Sequence, residues 1–398
     1  MHEAVIVDAV RTPVGRGKAG GALSGVHAVD LLAASLRALM DRVQIDPALV
    51  DDVLVGCVSQ AGEQAACPGR LAWLAAGLPE SVPATTIDRR CGSSQQAAHF
   101  AAQGVMAGAY DIAVVAGLES MSRVPMGSAR MGQDAHGPTA EARYAPGLIS
   151  QGVAAELMAA RWHLSRSELD EFSARSHERA ATAAVAGAFS AEIVPVRVPG
   201  ADSSSTRLVT ADETIRPGTT AEGLAKLQPS FRSEAMEQRF PEIGWHITPG
   251  NSSSLSDASA AMLVMSAERA EQLGLRPRAR FHSFSVCGDD PLLMLAGPIR
   301  ATEMVLKRSG LSLDDIDVAE VNEAFASVPL AWQAEFGFGA DKLNPWGGAI
   351  SLGHPLGASG LRIMTTMLSH LEATGGRFGL QTMCEGGGQA NATIIERL

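Results

Sequence analysis

The sequence predicts an α/β fold of two similar halves with a covering segment inserted between them. Two observations carry this: strand and helix signals alternate along most of the chain, and a stretch near the start is echoed near the end. Ile45–Val55 (IDPALVDDVLV) and Leu311–Val321 (LSLDDIDVAEV) each read as a turn leading into a buried strand. Each follows an amphipathic helix, marked by Leu31, Leu32, Leu39 and Val43 in the first case and by Ala301, Met304 and Val305 in the second. The echo continues downstream, where Met106–Gly117 parallels Glu372–Met383 as a helix end, a glycine and a strand. The expected division is residues 1–120 for the first half, 121–249 for the covering segment and 250–398 for the second half.

Taken in order, Ala4-Val5-Ile6-Val7 reads as an opening strand with no basic and apolar leader before it, so no secretory signal is expected. Thr85-Thr86-Ile87 is extended and gives way, through Asp88-Arg89-Arg90-Cys91-Gly92, to an Ala-rich helix beginning at Ser93. The covering segment is rich in Met, Ser and charge. Its one clear helix starts at Ser165, where Ser165-Arg166-Ser167-Glu168 forms a capping box and Leu164 with Leu169 forms a staple.

With 398 residues, 46% of them hydrophobic and 19% charged, the chain is too long for one ordinary core. Five cysteines (Cys57, Cys67, Cys91, Cys287, Cys384) without a C-x-x-C spacing argue against a disulfide framework and against a structural zinc site. No apolar run approaches the roughly 20 residues that span a bilayer. These features predict a soluble protein in a reducing, cytoplasmic setting. The formal net charge of −11, without a clustered Lys/Arg surplus, disfavours nucleic acid as a partner.

Four short motifs carry chemistry. Cys91 stands where a strand turns into a helix, a place where free N–H groups and the helix dipole favour a thiolate. Asn322-Glu323-Ala324-Phe325 follows the strand ending at Val321 and so faces a crevice at a strand end. Gly347 to Gly360 (GGAISLGHPLGASG) is a glycine-dense loop that presents His354 at a helix start. Cys384-Glu385-Gly386-Gly387-Gly388 places a second cysteine before a bend whose N–H groups can converge on an anion. Singly, each motif reads more readily as packing, a turn or a cap. The glycine loop lacks G-x-G-x-x-G and G-x-x-x-x-G-K-[ST], no G-x-S-x-G elbow is present, and no ligand spacing calls for a metal.

Together, in this order and spacing, the four motifs and the repeated halves resemble the thiolase superfamily over essentially the whole chain. That resemblance implies a thiolase fold: two similar βαβαβαββ halves in a five-layered α/β/α/β/α arrangement, a loop domain over the active site, and a homodimer or homotetramer. It implies no bound cofactor, with coenzyme A and acyl-CoA thioesters, acetyl-CoA among them, as substrates. It makes Cys91 the acyl-accepting nucleophile, His354 its base, and Cys384 the acid and base for the acetyl-CoA half. The N–H groups of Cys91 and Gly386 would hold one oxyanion, and His354 with a water on Asn322 the other. It places Ser253 against CoA, Arg216 and Lys226 as phosphate-side contacts, and Ala324 and Phe325 beside the thioester.

Three departures from the usual pattern stand out: Ser94 in place of a common Gly, Gly223 in place of a CoA-contacting Ser, and a stretch from Arg232 to His246 roughly ten residues longer than usual. Gln151 stands where short-chain synthetic relatives place a Met. Gln151 favours a degradative enzyme, and the leading expectation is a 3-ketoacyl-CoA thiolase similar to those of actinobacterial lipid or sterol catabolism. The alternatives are a biosynthetic acetoacetyl-CoA thiolase and a non-catalytic acyl-CoA or lipid carrier.

Overall fold

The computed structural model describes residues 2–200 and 205–398. Strand β1 (Ala4–Arg11) is buried along its whole length, with Asp8 and Arg11 set among its apolar residues, as in a central strand. Helix α1 (Ala28–Val43), strand β2 (Asp52–Gly56), helix α2 (Pro68–Ala75), strand β3 (Ala84–Ile87), helix α3 (Ser93–Met106) and strand β4 (Ile112–Ser120) follow. The covering segment contributes helices α4 (Gln151–Arg161) and α5 (Arg166–Val185), the second opening on the expected Ser165–Glu168 capping box. Strands β5 (Ser256–Ser266) and β6 (Ala279–Gly288), helix α6 (Gly297–Ser309), strand β7 (Val318–Val321), helices α7 (Ser327–Phe336) and α8 (Leu356–Thr374), and strands β8 (Phe378–Glu385) and β9 (Gln389–Arg397) complete the frame.

The strands run β3-β2-β4-β5-β1 in the first half and β7-β8-β9-β6 in the second. The two halves are joined edge to edge where Val5 and Ile6 of β1 pair with Arg280 and Ala279 of β6. The repeat read from sequence is visible strand by strand. In the first half β2 pairs in parallel with β4, and in the second β7 pairs in parallel with β8; the next pairing is antiparallel in both. A parallel bridge from Ala319 to Leu343 stands in the second half where β3 flanks β2 in the first. Each copy of the turn before the buried strand is a short 3₁₀ segment, Pro47–Leu49 and Leu313–Asp315.

One boundary needs correction. The second half was expected to begin at residue 250, yet β5 lies between β4 and β1 of the first sheet. The first half is therefore closed by a strand that arrives after the covering segment, and the second half begins with β6. The Ser256–Ser266 strand is buried along its whole length, and its local pattern carries no mark of which sheet it joins.

Helix α1 covers the outer face of the first sheet, α6 and α7 cover the outer face of the second, and α3 and α8 lie between the two sheets, which makes five layers. The covering segment packs on both halves: Val196, Val198 and Val209 join the outer core of the first, while α4 and α5 join that of the second. The stretch from Arg232 to His246 is folded down on the second core by Ile243 and Trp245, and Glu156 accepts the N–H groups of His246 and Ile247 at 2.7 Å each. Among the described residues no helix is long and apolar enough to cross a membrane.

The middle layer is unusually close. A Cβ on Gly360 of α8 would lie 2.4 Å from the backbone nitrogen of Gln95 in α3, and one on Gly117 of β4 would lie 2.7 Å from Cα of Ala358. Ser94, one of the departures noted above, accepts the Leu361 N–H on its Oγ at 3.0 Å and so ties α3 to α8. Because the obstruction at Gly360 is backbone, Gly360→Ala should destabilise the fold by about 1–3 kcal/mol, the usual size of an overpacking defect. A thermal or urea midpoint equal to that of the unaltered protein, at the same protein concentration, would refute this.

Candidate active site

Cys91 is placed by a braced loop. After β3 the chain passes through Arg90 at φ 49, held by the Asp88 carboxylate on the Arg90 N–H (2.7 Å) and by Ser93 Oγ, which accepts from the Arg89 N–H at 2.9 Å and donates to the Arg90 carbonyl. The cysteine is 4% exposed and packs with Met121, Leu356, Ile363 and Met383. Leu356 lies two residues past His354, so the glycine-dense loop closes on the cysteine. Burial, with the Glu385 carboxyl beside it, pushes the Cys91 thiol up to about 12. This corrects the expectation that the helix start holds a ready thiolate. Cys91 stands one residue before the cap Gly92, and the loss of hydration outweighs the helix-end field.

His354 is held in one orientation by its own loop. Its backbone N–H is shared by the Ser254 carbonyl (3.1 Å) and Ser256 Oγ (3.2 Å), which fixes the loop. Its Nδ1 lies 2.7 Å from Ser359 Oγ, and that hydroxyl donates its single hydrogen to the Pro355 carbonyl at 3.0 Å. Ser359 must therefore accept from Nδ1–H, which leaves Nε2 with its lone pair and no partner in the structure. Burial, with Arg362 adding to it, lowers the imidazole to about 3, so it is neutral at pH 7.

Asn322 and Cys384 come from neighbouring strands. The Asn322 N–H donates to the Thr382 carbonyl at 3.1 Å, which sets the end of β7 beside that of β8. Asn322 is 1% exposed, and neither its Oδ1 nor its Nδ2 has a partner among the described residues. A buried amide left wholly unpaired is costly unless a water or ligand fills the space beside it. Cys384 is likewise buried, and its thiol is raised well above the ordinary range by burial and then by Cys91, so the two thiols lie within electrostatic reach of each other. Past Glu385 the bend turns through Gly387 and Gly388 at φ 91 and 74. The Gln151 amide faces this bend, 2.8 Å from the point where a Cβ on Gly386 would sit.

Of the remaining expected residues, Ser253, Ala324 and Phe325 are brought together. The Ser253 N–H donates to the Ala324 carbonyl at 2.9 Å, the Ala326 N–H donates to Asn251, and Phe325 meets Phe231 edge to face at 6.1 Å. Arg216 and Lys226 are exposed on the covering segment, outside this buried group.

Sequence reasoning missed two supports and left a third without a role. Ser359, which sets the imidazole tautomer, carries no signal beyond its place in the loop. Glu119 accepts the N–H groups of Val58 and Ser59 at 3.0 Å each and of Gly357 at 2.9 Å, as well as the Gln64 amide at 3.1 Å, and so ties the loop after β2 to the one after His354. A lone acid closing the apolar run from Ile112 to Leu118 was its visible signal. Glu323 accepts from Ser176, Asn344 and the Ile350 N–H, which anchors the glycine loop to α5.

The comparisons agree with this geometry. Residues 4–268 match the description "Thiolase, N-terminal domain" and residues 275–397 match "Thiolase, C-terminal domain". The chain is 49% identical to the steroid 3-ketoacyl-CoA thiolase FadA6 of Mycobacterium tuberculosis, over all of this chain and 95% of that one. It is 47% identical to a 3-ketoacyl-CoA thiolase of Erwinia tasmaniensis over the full length of both. The crystal structure of a Bacillus anthracis acetyl-CoA acetyltransferase is similar with a TM-score of 0.89 at 36% identity, covering 100% of this chain and 99% of that one. The fold and the relatives are those of an acyltransferase. The chain belongs to the thiolase family.

Glu119→Gln would turn an amide N–H₂ toward a ring of N–H donors. It should destabilise the protein by about 1–3 kcal/mol, the usual size of an unmet buried hydrogen bond. An unchanged denaturation midpoint would remove Glu119 from its supporting role.

Proposed function

We propose that the protein cleaves 3-ketoacyl-CoA with coenzyme A to give acetyl-CoA and a shortened acyl-CoA, as in fatty-acid β-oxidation and related lipid breakdown. The observation that carries this reading is the buried group itself: two thiols within electrostatic reach, an imidazole with an open Nε2, and an amide with no partner, in a chain whose relatives of similar length are named 3-ketoacyl-CoA thiolases.

His354 Nε2 takes the Cys91 proton as the sulfur attacks the 3-keto carbon. The bond between C2 and C3 breaks, its electron pair forms the acetyl-CoA enolate, and Cys384 protonates that enolate. The acyl group remains on Cys91 as a thioester. The Cys384 thiolate then takes the proton of an incoming CoA thiol, which attacks the thioester, and Cys91 leaves and recovers its proton from His354. Two oxyanions develop on this path. The N–H groups of Cys91 and Gly386 suit the one on the thioester carbon, and His354 with a water held by Asn322 suits the enolate.

Ser253 and Phe325 flank the pantetheine end, and Arg216 and Lys226 face solvent where the CoA phosphates would lie. The FadA6 relative and the polar Gln151 over the Gly386 bend favour a bulky acyl substrate. The protein is read as cytoplasmic, with no bound cofactor. It is read as a homodimer or homotetramer, which accords with the half-exposed edge strand β3.

The deciding experiment follows CoA-dependent loss of acetoacetyl-CoA and of a sterol-type 3-ketoacyl-CoA. The bulky substrate should turn over faster, and Cys91→Ser should abolish both reactions. Preference for acetoacetyl-CoA would favour the biosynthetic reading, and binding without turnover the carrier reading. Asn322→Ala should lower kcat roughly a hundredfold with KM little changed, the usual loss for an oxyanion donor. Ser359→Ala frees the imidazole tautomer and should lower kcat by about tenfold or more. An unchanged kcat in either variant would remove that residue from the mechanism.

A further inference from the structure

Glu385 follows Cys384 directly, so its side chain leaves the opposite face of β8 from the thiol. It is fully buried, and neither carboxyl oxygen has a hydrogen-bond partner among the described residues. It lies against the backbone next to the nucleophile: a Cβ on Gly92 would stand 2.0 Å from Glu385 Oε1 and 2.7 Å from Asn391 Nδ2. A buried carboxylate with no donor on either oxygen is strongly disfavoured, whereas the neutral acid is tolerated.

The charged and titratable groups around it are few. Arg89 and Asp88 face it from the loop before α3, Cys91 from the same loop, Cys384 from β8 and Cys287 from β6. Arg89 forms no ion pair with it; the guanidinium bonds Gln389 instead, and its Nε has no partner. Cys91 is also faced by Arg90 and Glu119.

We propose that Glu385 is a positioning residue for the two thiols: as the neutral acid behind Gly92 it keeps negative charge away from Cys91 and Cys384, and its ionisation at alkaline pH opposes thiolate formation at both. The inference rests on Cys91 and Cys384 being the reactive pair. Burial, eased by Arg89, pushes the Glu385 carboxyl up to about 8, so the neutral form prevails at neutral pH and the charged form above it. The sign follows: an added negative charge raises a thiol pKa, so the native site is held back as pH rises past the Glu385 ionisation.

The test is the pH dependence of Cys91 alkylation by iodoacetamide, located by mass spectrometry, in the native protein and in Glu385→Gln. The two should react alike below about pH 7, and near pH 9.5 the variant should react about tenfold faster, the effect of a one-unit thiol shift. Glu385→Leu, which is also uncharged, should give the same alkaline gain and keeps the test open if the Gln variant fails to fold. Profiles that superimpose over the whole range, or a variant slowed equally at every pH, would overturn the proposal. Alkylation needs no substrate, so a Glu385-dependent profile in a protein without thiolytic turnover would sink the proposed function and leave this inference standing.

Discussion

The close crossing of α3 and α8 between the two sheets is the contact on which the rest of the site depends. Each helix is introduced by a loop that carries a residue of the proposed site, Cys91 before α3 and His354 before α8. Gly360 against the Gln95 backbone, and Ser94 on the Leu361 N–H, allow the helices to approach at backbone distance. A middle layer held apart by ordinary side chains would move those two loops apart with it.

From this contact the chemistry follows by exclusion of water. Every member of the group is buried, so each is driven toward its uncharged form: the Cys91 and Cys384 thiols upward, the His354 imidazole downward, the Glu385 carboxyl upward. In the proposed reaction an open imidazole nitrogen and an unpaired amide would respond when a substrate supplies the developing negative charge. The supports around it are acids that do accept bonds. Glu119 and Glu323 gather backbone and side-chain donors from segments far apart in sequence and hold the loops in place.

Much of this was legible in the residues. The repeat between Ile45–Val55 and Leu311–Val321 located equivalent strands, because a buried strand after a tight turn leaves a local apolar pattern. The Ser165 capping box named a helix start correctly, because a cap is a contact over three residues. What was not legible had no local mark. Ser256–Ser266 gave no sign that it would close the first sheet, and Ser359 and Glu119 looked like any loop serine or strand-end acid until their partners were in place. The expected thiolate at Cys91 failed for a related reason: the helix-end field is a local property, while burial is set by Met121, Leu356, Ile363 and Met383 from other parts of the chain.

The sequence by itself therefore determined the α/β class, the doubled organisation and the family, and singled out the cysteines, histidine and asparagine proposed to carry the chemistry, because each is written in spacing and residue type. Only the tertiary structure decided the direction in which burial pushes each titratable group, the imidazole tautomer, the sheet to which β5 belongs, and the buried place of Glu385. Those depend on desolvation and on hydrogen bonds between residues hundreds of positions apart, and no window of sequence contains both partners.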